Sequence, residues 1–465
     1  MAKQKKETNL GKDPVGRLLF RLAVPAITAQ IVNVLYNMVD RMYIGHIPKI
    51  GAAALTGVGV TFPIIMVISA FAALMAMGGA PKASIMMGKG DRETAEKILG
   101  NCTSGTIAAG LILTVLLLIF GRDLLMLFGA SENTIGYADT YMKIYACGTL
   151  FVQIALGLNT FITTQGFAGT SMLSVVIGAV TNIILDPIFI FGFDMGVSGA
   201  ALATIISQAL SAVWVLLFLT GKKTTLKIRK KYLKIDPRLY GSCLALGMSP
   251  FIMQATEGAI TVCFNSSLLR YGGDIAVGAM TILSSVMQFS MLPLQGLTQG
   301  AQPIVSFNYG AGNMERVKKA FFLLLRACVI YSTLLWAVAV FAPQAFIMIF
   351  TSDADLSAYT EWAMRIYMAM SLIFGIQVAC QQTFIALGNA KTSLFLAVLR
   401  KIILLIPLIF VLPLFFTDKA MAVFLAEPVA DTFAVATTAT MFFVQFRKLL
   451  KRMEKGTKSE EKAEA

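Results

Sequence analysis

Runs of about 20 or more mostly apolar residues recur along this chain, near 22–45, 52–81, 99–121, 139–164, 172–193, 197–221, 246–269, 275–303, 320–344, 361–388, 393–416 and 420–446. A helix rising about 1.5 Å per residue needs about 20 such residues to cross a ~30 Å hydrocarbon core. Within that core every backbone N–H and C=O must be satisfied by its own segment, and runs this long and evenly apolar do not alternate as barrel strands do. The fold class expected is therefore an all-α polytopic membrane protein with twelve transmembrane helices. Composition agrees: 57% of the 465 residues are hydrophobic and 14% charged, against roughly half and a quarter in soluble domains.

Slid against itself by 222 residues, the sequence keeps one register from the second span into the fifth. Gly51, Ala54, Gly78, Pro81, Ser84, Gly88, Gly90, Glu93 and Lys97 meet Gly273, Ala276, Gly300, Pro303, Ser306, Gly310, Gly312, Glu315 and Lys319. Farther on, Tyr137, Met142, Tyr145, Gly166 and Thr170-Ser171 meet Tyr359, Met364, Tyr367, Gly388 and Thr392-Ser393. The chain thus reads as two six-helix repeats: an N-lobe over 1–221, a basic linker over 222–245, a C-lobe over 246–446, and a tail over 447–465 expected to lack order. Six spans per repeat is an even number, so both halves enter the membrane from one side and form parallel repeats about an axis along its normal. Paired bundles of this kind suit alternating access, in which a central cavity opens to one face and then the other.

Lys and Arg gather on cytoplasmic loops. With both termini cytoplasmic, 29 of the 39 basic residues fall on that side, including the stretch GKKTTLKIRKKYLK at 221–234. The net charge of +14 is then a topology signal and a contact to membrane lipid headgroups, and nucleic-acid binding is not expected. The leading MAKQKKETNLGKDP is hydrophilic and precedes a full-length span, which does not resemble a cleavable signal peptide. Six cysteines without a CxxC pair or a Cys/His cluster read as small apolar side chains, and the single histidine, His46, falls in the first external loop.

An ionisable side chain in mid-membrane costs about 3 kcal/mol on insertion scales, so each one needs a partner or a purpose. NIILDPIFIFGF at 182–193 places Asp186 four residues after Asn182, on the same helical face. In the first span, Gln30, Asn33, Asn37 and Asp40 follow one another at steps of three, four and three, a single stripe ending in a carboxylate. The fourth span adds Asn159 and Thr163, and the sixth adds Thr204. Counted from the nearest external glycine, Asp40, Asp186 and Thr204 lie roughly 7, 9 and 12 Å deep. All belong to the outer half of one bundle. Pro187 cannot donate to the Ile183 carbonyl, which frees another oxygen. Two carboxylates, amides, a hydroxyl and a carbonyl suit Na⁺, expected at Asp40, Asn182, Asp186 and Thr204, and two close carboxylates also share a proton. Na⁺ and H⁺ both remain open as the coupling ion; no other cofactor is expected. Polar packing between helices is the plainer alternative for such a cluster.

The second half keeps the polarity and moves the acids. The seventh span carries Gln254, Glu257 and Thr261, the eighth Gln288, Gln295, Gln299 and Gln302, the tenth Gln377 and Gln381, and the twelfth Glu427 and Asp431. Glu257 has two readings, a site for a cationic substrate or a partner for Arg400 or Lys401. The 25 methionines and 32 phenylalanines support a repacking pocket only weakly.

YNMVDRMYIG around Asp40, NIILDPIFIFGF, GVSGAALATIISQ, the loops GKGDRETAEK and GAGNMERVKK, and AEPVADT, in this order on a duplicated chain, resemble the multidrug and toxic compound extrusion family over residues 15–445. The likeness is nearest to its bacterial multidrug export branch. That resemblance implies an antiporter of the bacterial inner membrane, working as a monomer, that expels organic cations while Na⁺ or H⁺ runs inward. It implies a cation site at Asp40, Asn182, Asp186 and Thr204 with Asn159 nearby, and a cavity lining that includes Pro25, Asn33 and Tyr36. Asn37, Thr163, Gln254, Glu257, Gln288 and Gln381 are further expected cavity residues, Glu257 matching a helix 7 acid of some branches. Where certain branches carry an aspartate in the tenth helix, Gln377 and Gln381 stand here, so the N-lobe is the expected coupling site. The main alternative keeps the fold and changes the cargo to a lipid-linked oligosaccharide or another amphiphile. An intramembrane enzyme is not expected, since HExxH, GxSxG with a usable histidine and a phosphate loop are all missing from the sequence.

Overall fold

The computed structural model describes the backbone of residues 8–464 and side chains as far as Lys451. The N-lobe holds α1 (Val15–Gly45), α2 (Gly51–Gly88), α3 (Arg92–Leu127), α4 (Ile135–Thr164), α5 (Ala168–Gly192) and α6 (Gly196–Thr220). In the C-lobe, helical structure from Pro237 to Gly310 is broken at Gly273, where φ is 67° and ψ −164°, giving α7 (237–272) and α8 (274–310). Then come α9 (Met314–Phe341), α10 (Ala354–Tyr367 with Ser371–Ala386, bent by 50°), α11 (Ala390–Leu414) and α12 (Lys419–Glu464). The described chain is therefore a multi-pass, twelve-span helical protein.

Chain turns repeat across the lobes as the spans do. Asp91 accepts a hydrogen bond from the Thr94 N–H (2.9 Å) at the start of α3, and Asn313, its counterpart 222 residues on, accepts from Arg316 N–H (3.2 Å) at the start of α9. Each N-cap satisfies a backbone donor that the first helical turn leaves open. Bonding from the Thr94 side chain and its backbone N–H also holds the Asp91 carboxyl below its ordinary pKa. The residues just before these caps, Gly90 and Gly312, share positive φ values of 80° and 74°, which a side chain would resist.

Crossed packing joins the halves. α1 packs on α8, and its counterpart α7 packs on α2. Glycine makes the close approach possible: a Cβ at Gly88 would collide with the Phe307 carbonyl, and one at its counterpart Gly310 with the Ile85 carbonyl. Gly78 and Gly247 meet the opposite lobe at Cys243 and Leu74, Gly296 and Gly300 meet it at Ile27 and Ala23, and Phe71 sets its ring edge-on to Phe251. These approaches lie in the half of the membrane region nearest the termini. Gly258, where an added Cβ would come to 3.5 Å from Pro63, is farther toward the other face, where the outer residues Leu35, Met38 and Met42 of α1 are exposed. Gly88→Val and Gly310→Val are accordingly expected to push the lobes apart at the terminal face. Double electron–electron resonance between spin labels on α2 and α8 should report a longer distance than in the unsubstituted protein.

Two straps cover that same face. Residues 8–13 lie between the lobes: Leu10 is buried in the C-lobe core, its carbonyl accepts from Asn308 Nδ2 (3.0 Å) and Arg316 Nη2 (3.0 Å), and Thr8 rests on Gly166 of the N-lobe. Gln165 Oε1 accepts from the hydroxyls of Thr224 and Thr225 and from the N–H groups of Thr225 and Leu226, at 2.7–2.8 Å. Arg229 Nε pairs with Glu96 (2.5 Å). The linker is thereby fastened to the N-lobe. It ends sooner than the expected 245, because Asp236 caps the next helix by accepting from the Arg238 and Leu239 N–H groups, and Pro237 opens it. At the other end of the chain, the expected disordered tail is helical in backbone to Glu464, as a continuation of α12.

Candidate ion and substrate site

Asp40 and Asp186 come together. Asp40 is 7% exposed on α1 and Asp186 fully buried on α5, and their carboxyl groups face one another at close range. Asn182, also fully buried, donates from Nδ2 to Asp186 Oδ1 (3.2 Å) and to Thr204 Oγ1 of α6 (3.4 Å). Three helices thus contribute to one knot. Just beyond it α5 passes from α-helix into a π-helical turn at Ile188–Gly192, after Pro187 removes a donor from the ladder.

Acceptors in this knot outnumber donors. Asp40 Oδ1, Asp186 Oδ2, Asn182 Oδ1 and Asn159 Oδ1 are buried with no hydrogen-bond partner. A buried unsatisfied acceptor costs about 1–3 kcal/mol, more when charged, so the three on Asp40, Asp186 and Asn182 ask for a proton or a cation, whereas Asn159 stands apart, its amide donating to the Ser171 carbonyl (3.2 Å) farther toward the terminal face. Among the described residues no group of three or more His, Cys, Asp or Glu side chains is placed to hold a metal. A Na⁺ here would rely on two carboxylates supplemented by amide and hydroxyl oxygens, a hard-oxygen donor set.

Toward the terminal face a cavity of about 40 Å³ adjoins the knot, with Asn33, Tyr36, Asn159, Ser174, Thr204 and Gln208 among its polar lining. It has room for roughly two or three water molecules, far less than an organic substrate requires. Ser207, Gln208 and Ser211 were not singled out from the sequence, though they follow Thr204 at steps of three, four and seven, the signature of one helical face. Ser174 on α5 stands eight residues before Asn182, two turns along the same face, and carries the same kind of signal.

Other expected cavity residues divide. Pro25 is half-buried inside α1, and Asn37 is exposed with its amide donating to the Asn33 carbonyl (2.6 Å). Gln254 is half-buried and Gln288 exposed. Thr163 sits next to the last residue of α4, away from this cavity; a turn past Asn159, it has been carried toward the terminal face. Gln381 is also corrected. It is 2% exposed and donates from Nε2 to Ser249 Oγ (3.1 Å) and the Ser393 carbonyl (3.0 Å), so it ties α7, α10 and α11 together, with its Oε1 buried and without a partner.

In the C-lobe the open question about Glu257 is answered by Lys401, whose Nζ lies 2.8 Å from Glu257 Oε1. Next to it, Arg400 reaches Asp431 (2.7 Å) and Glu427 (3.1 Å) and lies 4.7 Å over the Phe374 ring. Arg400 and Lys401 occupy a π-helical turn of α11, Leu399–Leu405.

Two lobes packed by crossed helix pairs, with a polar, ion-sized site in one of them, define a duplicated multi-pass membrane protein of transporter type. The MatE family profile matches residues 25–188 and 250–411, once in each lobe. The chain belongs to the MatE family of multidrug efflux transporters. It is 25% identical over 421 residues to the multidrug export protein MepA of Staphylococcus haemolyticus (strain JCSC1435), covering 90% of this chain and 92% of that one. With the MepA of Staphylococcus aureus (strain MSSA476) it shares 25% over 403 residues, covering 86% and 88%. Its fold matches the crystal structure of MATE in the bent conformation with a TM-score of 0.90 at 20% identity, over 97% of this chain and 100% of that one. An outward-facing multidrug resistance MATE family transporter of the MOP superfamily matches with a TM-score of 0.88 at 21% identity, over 96% and 99%.

Proposed function

We propose that this protein is a secondary active antiporter that exports organic, mostly cationic compounds across a bacterial inner membrane in exchange for inward Na⁺ or H⁺. Both termini are cytoplasmic in this reading, the protein acts as a monomer, and the lobes move by alternating access. The observation that carries it is the set of three partnerless oxygens of Asp40, Asp186 and Asn182, next to a water-sized polar cavity. An ion arriving from outside neutralises that pair, lets α1 bend about Pro25, and favours the state that releases the exported compound. An ion gradient does this only if ion and exported compound prefer different access states.

A flippase for a lipid-linked oligosaccharide would need basic groups free to meet a pyrophosphate. Of the basic groups at the spans, Arg400 and Lys401 are instead committed to Asp431, Glu427 and Glu257, and Arg41 lies over the Phe62 ring (5.2 Å), which favours the exporter. The experiment is efflux of a fluorescent organic cation from proteoliposomes under an imposed Na⁺ or pH gradient, with lipid scrambling measured in parallel. Scrambling without gradient-driven efflux would replace this reading by the flippase.

A further inference from the structure

The C-lobe cluster holds three carboxylates, Glu257, Glu427 and Asp431, against two cations, Arg400 and Lys401. The buried carboxylates Glu427 and Asp431 match the two buried cations, so the negative charge in excess lies on Glu257, whose side chain is half exposed and is where an arriving cation would be met.

Its two resident cations are held differently. Arg400 bridges two carboxylates and stacks on Phe374, all of it buried. Lys401 has one partner, Glu257, and an ammonium on a flexible stem moves more readily than a forked guanidinium. The pair is also lopsided in exposure: the Lys401 side chain is 7% exposed and that of Glu257 52%. Lys401 therefore approaches the carboxylate from inside the lobe and leaves its other side open. Glu257 lies within α7, and its neighbour Gly258 faces Pro63 of the N-lobe, which puts this open side next to the space between the lobes. Glu427 is held to the same turn of α11 by Arg400, the residue next to Lys401.

Resting on the exporter reading, we propose that Lys401 is a specificity-determining stand-in for a monocationic substrate, which takes its place on Glu257 and sends the ammonium toward Glu427. One incoming positive charge balances the cluster; a neutral compound gives Lys401 no reason to leave, and a dication overshoots.

The test is equilibrium binding of a fluorescent lipophilic monocation to the purified full chain, read by anisotropy without any gradient. Lys401→Met removes the competitor and should tighten binding at least about fivefold, within the ~1.4 kcal/mol that a tenfold change represents. Lys401→Arg, with a guanidinium that grips Glu257 in two places, should weaken it by a similar factor. Glu257→Gln should weaken the monocation while leaving a neutral ligand of the same shape unchanged. Unchanged or weaker binding by folded Lys401→Met overturns the proposal, as does tighter or unchanged binding by Lys401→Arg; those two variants are scored separately, so misfolding of one leaves the other decisive. Failure of the unsubstituted protein to bind any organic cation would instead overturn the exporter reading on which this one rests.

Discussion

Asp186→Asn is expected to cut gradient-driven efflux sharply while leaving equilibrium binding of an organic cation nearly intact, and Asp40→Asn is expected to do the same. Each substitution keeps the shape of the side chain and removes the charge that an inbound ion would discharge. Coupling energies between sites run about 1–3 kcal/mol, so energised efflux should fall by roughly 5- to 150-fold. Because the two carboxyls face each other, the double variant should lose little more than either single one, as members of one unit do. A pair of independent losses that multiplied would mean two separate sites. Folding is a secondary concern, since an amide in place of either carboxylate adds a donor where acceptors are in excess.

Arg400→Met should be the most destabilising single change in the C-lobe. It leaves Asp431 and Glu427 buried without their guanidinium partner, and breaking one side of a buried ion pair costs about 3–5 kcal/mol. Adding Asp431→Leu to the same chain should recover part of that loss, because a buried carboxylate without a cation is worse than an apolar side chain. Thermal inactivation of the two variants in detergent checks both statements. If Arg400→Met inactivates at the unsubstituted temperature, the network contributes specificity and not stability.

Much of this was legible in the residues because the bilayer limits the choices so severely. Apolar run length gave the spans, and the 222-residue register gave the halves; the matched caps Asp91 and Asn313 and the paired glycines Gly88 and Gly310 are the same signal at atomic scale. Helical spacing likewise put Asn182 and Asp186 on one face, and depth put Asp40 beside them. Helix rotation was harder to read. Gln381 and Asn37 carry the same polar label, yet one ties three helices together and the other spends its amide on its own backbone. Two readings of Glu257 stayed open for the same reason, since only packing decides whether α11 turns Lys401 toward α7. Helix ends were underread as well. Hydropathy stops at the first charged residue, whereas helices such as α3 run on past it to a capping side chain.

The central claim is that an inbound ion discharging the Asp40/Asp186 pair drives export. Vesicles containing the purified protein and loaded with a fluorescent organic cation can be given a Na⁺ gradient alone or a pH gradient alone, in the unsubstituted form and as Asp40→Asn/Asp186→Asn. At least one gradient should drive uphill movement in the unsubstituted protein and neither should in the double variant. Uphill movement that survives in the double variant would mean that the Asp40/Asp186 pair is not the coupling site.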